Sequence, residues 1–541
     1  MHTDRMLVCL FAFLEFSILF LRLLRNNGFM PGVSANTIVN LKPVLRLRLQ
    51  LILTLAASFF LASMPSTAMA DPIVGMSLYD PEEIEAWIKE IAGRDADSEQ
   101  QAAIIERLYH SDGFLAAEAI VAVDADGKRV ILVHEGRVGA IHLEGGNEVA
   151  QRTIRRFLKP LADGTPLHIS RLERQMLLAG DQGGLDVSAS LDHPDPSADT
   201  RLNVIISQSR QSGSASLDVV PQRPGTIGRF VLDQSFYGVL EGGDVLRGLG
   251  VVSRAPSGDL GFAGRVSYRT AIGSHGVFGE LFAGTALSDR EFNNPRLRNE
   301  QRGRQFGVLV GYPIARSMEG SLFVAGEIEH SQGRFRFGPT ETRSGVDAAR
   351  GYLIGAYSSP NGTQLEGSLR LSAGQRRKPY PGQLSDGDRT FASVRAEAGV
   401  VTPIANRLAL RVETEGQLAL SDLPEVEHFF LGHLPLVRGY AQSAVEADSG
   451  AAATVQFDQL VELSPETSLT VSGFSDFGFV RRRAGDPPYV VDEDIASFGL
   501  GAAVAHRSGF SLTGWLAMPV LDSRLTDAGD PIIYLQLAQR W

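Results

Sequence analysis

Two short motifs hold the most suggestive chemistry in this 541-residue chain: Leu436-Val437-Arg438-Gly439-Tyr440 and Phe474-Ser475-Asp476-Phe477-Gly478. Arginine offers a planar fork of donors and aspartate two acceptor oxygens, so the pair can close a bidentate ion pair if the backbone brings them together. An aspartate enclosed by protein needs a cation or solvent, because an unpaired buried charge is expensive. Residue alternation points to enclosure. Leu469 and Val471 fall on one face of an extended segment, and Thr470, Ser472 and Asp476 on the other. Arg438 meets Asp476 only if the segment carrying it folds back. Otherwise the two are an exposed loop arginine and a hydrated aspartate, and the residues alone leave both readings open.

Little else in the chain resembles catalytic chemistry. There is no Gly-x-Ser-x-Gly elbow, no His-Glu-x-x-His helix and no Gly-Lys-Ser/Thr phosphate loop. Gly248-x-Gly250 and Gly499-x-Gly501 lie in strand-like patterns, where glycine permits close packing or faces an aromatic ring. His134, His142 and His168 are scattered, and the only cysteine is Cys9, which excludes a disulfide framework and a cysteine-based zinc site. No cofactor, metal or enzymatic activity is expected. With 51 Lys+Arg against 62 Asp+Glu the net charge is −11, an acidic balance that argues against nucleic acid as a partner. Arg481-Arg482-Arg483 reads as the base of a solvated loop or as a contact for lipopolysaccharide phosphate.

The elements that must position these residues change character along the chain. Beyond Gln208, segments of about ten residues alternate between polar and apolar positions. They start near residues 213, 226, 244, 259, 276, 303, 319, 347, 363, 389, 407, 451, 467, 495, 509 and 531, sixteen in all. Connections after even-numbered segments are short, as at Leu240–Asp244, Ala315–Glu319 and Ser464–Glu466. Several after odd-numbered ones are long: Asp289–Gly303, Ser331–Ser344, Gln375–Asp388, Ser421–Gly450, Arg481–Asp494 and Asp522–Pro531. An even strand count with short turns at one end and long loops at the other defines an outer-membrane β-barrel. Leu408, Leu410 and Val412 oppose Arg411, Glu413 and Glu415, so the lumen is expected to be polar. The final strand places Ile533, Leu535, Leu537 and Trp541 on one face.

Residues 71–208 read differently, as strand, two helices and two strands, and then the same order again. Ile84, Trp87, Ile88 and Ile91 keep helical spacing, as do Ile104, Ile105 and Leu108, before strands at Ala119–Val123 and Val130–Val133. The second unit runs Val138–Leu143, Glu148–Leu158, Ile169–Leu178, Leu185–Leu191 and Arg201–Ser207. Ahead of both, Lys42, Arg46 and Arg48 precede an apolar stretch from Leu49 to Leu61 and the small residues Ala68-Met69-Ala70, a secretory signal peptide cleaved after Ala70. The earlier apolar segment Met6–Leu24 is either an anchor or untranslated, with the true start at Met30.

The V-R-G-Y and F-x-D-x-G motifs, above two such units, resemble the outer-membrane transporters of two-partner secretion, the TpsB or haemolysin secretion/activation family. Its superfamily also contains barrel-assembly insertases. The repeated units resemble POTRA domains, with landmarks at Leu108–Phe114, His134-Glu135-Gly136-Arg137-Val138 and Arg171-Leu172-Glu173-Arg174-Gln175. The resemblance divides the chain into an extension with signal peptide (1–70), two POTRA domains (71–136 and 137–210) and a 16-stranded barrel (211–541). It implies that Val437, Arg438, Gly439 and Tyr440 form a transport-loop motif. It further implies that Phe474, Asp476 and Gly478 form the barrel-interior partner motif, and that Leu535, Leu537 and Trp541 form the signal read by the barrel assembly machinery. Two departures stand out. Leu431-Gly432-His433 replaces a glycine pair common before the arginine motif, and the few residues between Ala70 and Ile73 leave no room for a pore-plugging helix.

The implied activity is transport of an unfolded exoprotein (TpsA-like) from the periplasm of a Gram-negative cell through the lumen to the surface, without ATP. Further partners are outer-membrane lipid and lipopolysaccharide. The alternative is a factor that assembles other barrels into the membrane.

Overall fold

The computed structural model describes residues 71–92, 96–192, 199–221, 226–254, 259–290, 299–377, 389–432, 436–440, 445–481 and 492–541. The readings of the signal peptide and start site, and His433, Arg482 and Arg483, lie outside the described residues. No described helix is long and apolar enough to cross a membrane.

The chain opens with β1 (Ile73–Val74), α1 (Pro81–Ala92), α2 (Ser98–Ser111), β2 (Glu118–Val123) and β3 (Arg129–His134), in a sheet of order β1-β3-β2. The Asp97 side chain caps α2 by accepting from the Gln100 amide at 2.8 Å. One face of each helix covers the sheet, burying Ile84, Ile88, Ile105 and Tyr109 against Ile73 and Ile131. The same order of elements follows: β4 (Val138–Gly145), α3 (Glu148–Leu158), α4 (Ile169–Gly180), β5 (Leu185–Asp192) and β6 (Thr200–Gln208), in a sheet of order β4-β6-β5. Its core is Ile154, Phe157, Leu158, Leu178, Leu202 and Val204.

Glu135 joins the two units. It is buried and accepts hydrogen bonds from the Ser77 amide (2.6 Å), the Leu78 amide (2.9 Å), Tyr109 Oη (2.9 Å) and Arg137 (2.7 Å). Burial alone would raise its pKa, but the hydrogen bonds from Ser77, Arg137 and Leu78 outweigh it and hold the carboxyl below the usual range. Burial and the adjacent Glu135 carboxylate push the Tyr109 hydroxyl well above its ordinary value. Arg137 extends the network to the Gly164 carbonyl at 2.8 Å.

The remaining strands close into a barrel. They are β7 (Gln211–Pro221), β8 (Thr226–Tyr237), β9 (Val245–Arg254), β10 (Leu260–Ile272), β11 (Val277–Arg290), β12 (Asn299–Arg316), β13 (Gly320–Phe337) and β14 (Thr340–Ser358). Next come β15 (Gln364–Arg376), β16 (Thr390–Ala405) and β17 (Leu408–Ala419). Two short strands, β18 (Phe429–Leu431) and β19 (Val445–Ala447), pair with each other outside the barrel sheet. The wall then resumes with β20 (Ser449–Ser464), β21 (Thr467–Arg481), β22 (Glu493–His506), β23 (Phe510–Pro519) and β24 (Ile532–Arg540). All sixteen wall strands run antiparallel to their neighbours, and β24 pairs with β7 to close the ring.

One expected loop is not a loop. Ser331–Ser344 belongs almost wholly to a hairpin, with β13 ending at Phe337 and β14 starting at Thr340, and the register is unbroken from Ser331↔Val346 to Phe337↔Thr340. The outward positions there are charged (Arg334, Arg336, Arg343), so the apolar half of the alternation that marks a membrane strand is missing. For the same reason β12 begins at Asn299, earlier than the sequence pattern suggests.

The second α/β unit docks on the short-turn end of the barrel. Arg316, at the end of β12, pairs with Asp181 at 2.8 and 2.9 Å. Arg174 donates to the Pro313 carbonyl at 2.8 Å, Glu173 accepts from the Met318 amide, and Thr153 donates to the Gly242 carbonyl at 2.9 Å.

Candidate functional site in the barrel lumen

The segment between β17 and β20 folds back inside the barrel. Phe429, Leu431, Leu436, Val437, Tyr440, Val445 and Ala447 form an apolar cluster with wall residues Ala452, Val480 and Ile495. Glycine on the wall makes room for it. A Cβ on Gly478 would lie 2.9 Å from both Leu431 Cδ1 and Val437 Cγ2.

At the tip of this segment the chain turns sharply. Val437 takes φ +50° and Gly439 φ +92°. Left-handed backbone is uncommon for a β-branched residue and costs on the order of 1–3 kcal/mol. The turn aims both the backbone and the side chain of Arg438 at one carboxylate. Asp476 Oδ2 accepts from the Arg438 amide (2.8 Å) and Nε (2.9 Å), and Oδ1 accepts from a terminal guanidinium nitrogen at 2.7 Å. The other terminal nitrogen donates to Gln456 Oε1 on β20 at 2.8 Å. Arg438 is 1% exposed and Asp476 2%, so the pair is dry and the three-point geometry offsets the cost of desolvation.

Aromatic rings complete the enclosure. The guanidinium carbon lies 3.4 Å from the Phe474 ring centroid and 4.8 Å from that of Trp515, and the two rings meet edge to face at 5.7 Å. Gly499 and Gly501 provide the floor: a Cβ on Gly499 would strike the Phe474 ring at 2.5 Å, and one on Gly501 the Trp515 ring at 2.1 Å. These two glycines face aromatic rings, whereas Gly248 and Gly250 have nothing within 4 Å of such a Cβ. Tyr534 Oη accepts from the Gly439 amide and donates to the Tyr440 carbonyl, both at 3.0 Å. Tyr440 Oη lies 2.8 Å from the Ala496 carbonyl and 2.9 Å from that of Leu521.

The far end of the folded-back segment is tied to a second stretch of the wall. Arg350 on β14 bonds Glu427 of this segment at 2.5 Å and Glu327 on β13 at 2.6 Å, with Glu329 at 3.4 Å. Gln417 Nε2 donates to the Glu427 carbonyl at 2.7 Å and the Asp448 carbonyl at 3.0 Å. The segment therefore crosses the lumen, held at both ends.

The structure brings Val437, Arg438, Gly439 and Tyr440 together with Phe474, Asp476 and Gly478. The sequence reading missed Gln456, Trp515, Tyr534, Arg350 and Glu427. Alternation could have turned Gln456, Trp515 and Tyr534 inward, but nothing local says which inward residues meet a remote loop. Leu535, Leu537 and Trp541 sit elsewhere, on the outer face of the closing strand, 47%, 41% and 50% exposed. The Trp541 amide and carbonyl both bond Gly213 on β7, and its indole donates to Gln234 Oε1 at 3.1 Å. Arg481 pairs with Asp494 at 2.6 Å. No group of acidic, histidine or cysteine residues among the described residues could hold a metal ion.

Comparison with known proteins bears out the resemblance read from the two motifs. The family model described as haemolysin secretion/activation protein ShlB/FhaC/HecB matches residues 341–504, a stretch that contains both motifs. CdiB from Escherichia coli superposes with a TM-score of 0.68 at 15% identity, covering 95% of this chain and 100% of that one. CdiB from Acinetobacter baumannii gives 0.64 at 14% identity, covering 94% and 100%. BamA from Haemophilus ducreyi lacking POTRA domains 1–3 gives 0.50 at 12% identity, covering 87% and 99%. No curated protein matches the chain by sequence. The closed sixteen-stranded barrel thus shares the fold of these solved structures, and the stretch that holds both motifs matches the secretion/activation family model.

Proposed function

We propose that the chain is a secretion pore that takes an unfolded exoprotein from the periplasm and passes it through the lumen to the cell surface without ATP. One observation carries this reading: the Arg438–Asp476 pair locks a loop across the interior of a closed barrel, an arrangement that serves a gated conduit. The two α/β units, read as POTRA domains spanning 71–136 and 137–210, hang from the short-turn end, which in outer-membrane barrels faces the periplasm. Their edge strands β2 and β5 present unpaired backbone to an incoming extended segment. Strand addition there recognises main chain, so it captures an unfolded polypeptide without demanding one sequence. Folding outside the cell then draws the chain through. Arg438 is the positioning residue, holding the loop in the transport-competent form.

Reconstitution tests this. The purified full chain in liposomes, given a denatured candidate exoprotein and no nucleotide, should move it to a protease-protected compartment, and Arg438→Ala should not. An exoprotein fused to a stably folded domain should jam. Free passage of that fusion, or a requirement for ATP, would overturn the reading. The wall also admits an assembly factor for other barrels. If that is the function, the same liposomes would accelerate insertion of an unfolded outer-membrane barrel instead.

A further inference from the structure

The outward face of β12–β14 carries an arrangement that protein folding alone disfavours. Arg302 lies directly opposite Arg334, and Arg334 directly opposite Arg343, so three arginines stand in one cross-strand row on adjacent strands. Like charges in such a row repel and destabilise the sheet unless counter-charge meets them. Their side chains are 53%, 39% and 72% exposed, so none is buried in a protein contact. Glu300 pairs with Arg302, and Glu341 is shared between Arg334 (2.5 Å) and Arg343 (2.9 Å). Arg336 lies opposite both glutamates in the row above, and Arg304 stands in the row below. Five arginines against two glutamates leave a surplus of three positive charges. Further down, Arg377 and His330 both meet Asp347.

The height of this patch identifies what it faces. On β12 the outward residues Phe306, Val308, Val310, Tyr312 and Ile314 are all exposed and apolar or aromatic. Eight residues at about 3.4 Å each span roughly 27 Å along the strand, or about 21 Å across a bilayer at a tilt of about 40°, close to the height of a barrel's lipid-facing band. By the same geometry Arg304 and Arg302 lie about 5 and 10 Å beyond Phe306, at the headgroup level of the leaflet away from the short-turn end.

We propose that this face binds the phosphate groups of an outer-leaflet glycolipid, with its acyl chains against Phe306, Val308 and Ile328. Guanidinium forks suit phosphate oxygens, and the anion relieves the repulsion within the row. The assignment rests on the outer-membrane orientation proposed above.

The test uses the full chain in uncharged detergent, titrated with bis-phosphorylated lipid A, dephosphorylated lipid A, phosphatidylglycerol and pyrophosphate. Wild type should prefer bis-phosphorylated lipid A, and the triple variant R302Q/R334Q/R343Q should bind it at least tenfold more weakly. Equal binding by the triple variant would overturn the site. Equally tight pyrophosphate or phosphatidylglycerol binding would overturn the glycolipid assignment. If the triple variant fails to form a heat-modifiable barrel, Arg343→Gln alone, at the most exposed position, should weaken lipid A binding about threefold, and an unchanged affinity would sink the proposal. Arg438→Ala should bind lipid A like wild type. Retained export in that variant, with lipid binding intact, would therefore count against the transport reading and leave this site standing.

Discussion

Replacing Arg438 by alanine should release the folded-back segment from the lumen wall. The substitution deletes the guanidinium bonds to Asp476 at 2.7 and 2.9 Å and to Gln456 at 2.8 Å, leaving only the residue-438 amide on the carboxylate at 2.8 Å. A carboxylate 2% exposed then loses its cation. Breaking one partner of a buried pair costs about 3–5 kcal/mol. At about 1.4 kcal/mol per tenfold, the docked loop loses roughly 100- to 4000-fold in relative population. Loss of the Phe474 and Trp515 contacts adds about 0.5–2 kcal/mol. Arg438→Lys should recover only part of this, because an ammonium cannot satisfy both oxygens at once. The assay is protease protection of residues 420–448 in the full chain, run as a double-mutant cycle with Asp476→Ala. Removing both partners relieves the stranded charge, so the double variant should be clearly less damaged than the sum of the singles. Wild-type protection in Arg438→Ala, or strict additivity in the cycle, would refute the reasoning.

Three further outcomes follow from the same geometry. Gly499→Ala places a Cβ 2.5 Å from the Phe474 ring and 2.1 Å from the Leu516 carbonyl, so it should cost about 1–3 kcal/mol and lower the temperature at which the barrel loses its heat-modifiable migration. Glu427→Gln weakens the charged tie to Arg350 while keeping the hydrogen-bonding shape, and should raise the open probability of single channels in planar bilayers without the full loss expected of Arg438→Ala. Glu135 has a depressed folded-state pKa, so its contribution is present above the ordinary glutamate value of about 4.3 and is lost as pH falls from there through the folded value. Protease nicking within residues 71–136 should therefore rise below about pH 4.5, and Glu135→Gln should be nicked more at neutral pH with a flatter pH response.

The barrel was legible because a membrane wall enforces a period of two over long stretches, and because turn and loop lengths segregate by side. Strand starts at 226 and 467 coincide with those in the structure, and most of the others differ by a residue or two. The pattern failed where the lipid ends. Above Phe306 the outward face turns charged, and the β13–β14 hairpin there reads as a loop although its ladder continues to Phe337↔Thr340. At the candidate site, alternation was enough to turn Asp476 inward. It could not show that Trp515 on β23 and Tyr534 on β24 would close around a loop leaving β17, because barrel closure sets those neighbours. Arg350 and Glu427 were hidden for the same reason: they are 77 residues apart and meet only because the segment leaving β17 folds back to reach β14.

The most direct test of the central claim is to delete the protein, complement with wild type or Arg438→Ala, and compare the proteomes of the culture medium and the outer membrane. The secretion reading predicts that one large exoprotein disappears from the medium in the deletion, returns with wild type and stays absent with Arg438→Ala, while other outer-membrane barrels keep their levels. Broad depletion of those barrels with the exoprotein still exported would contradict it and make the chain an assembly factor.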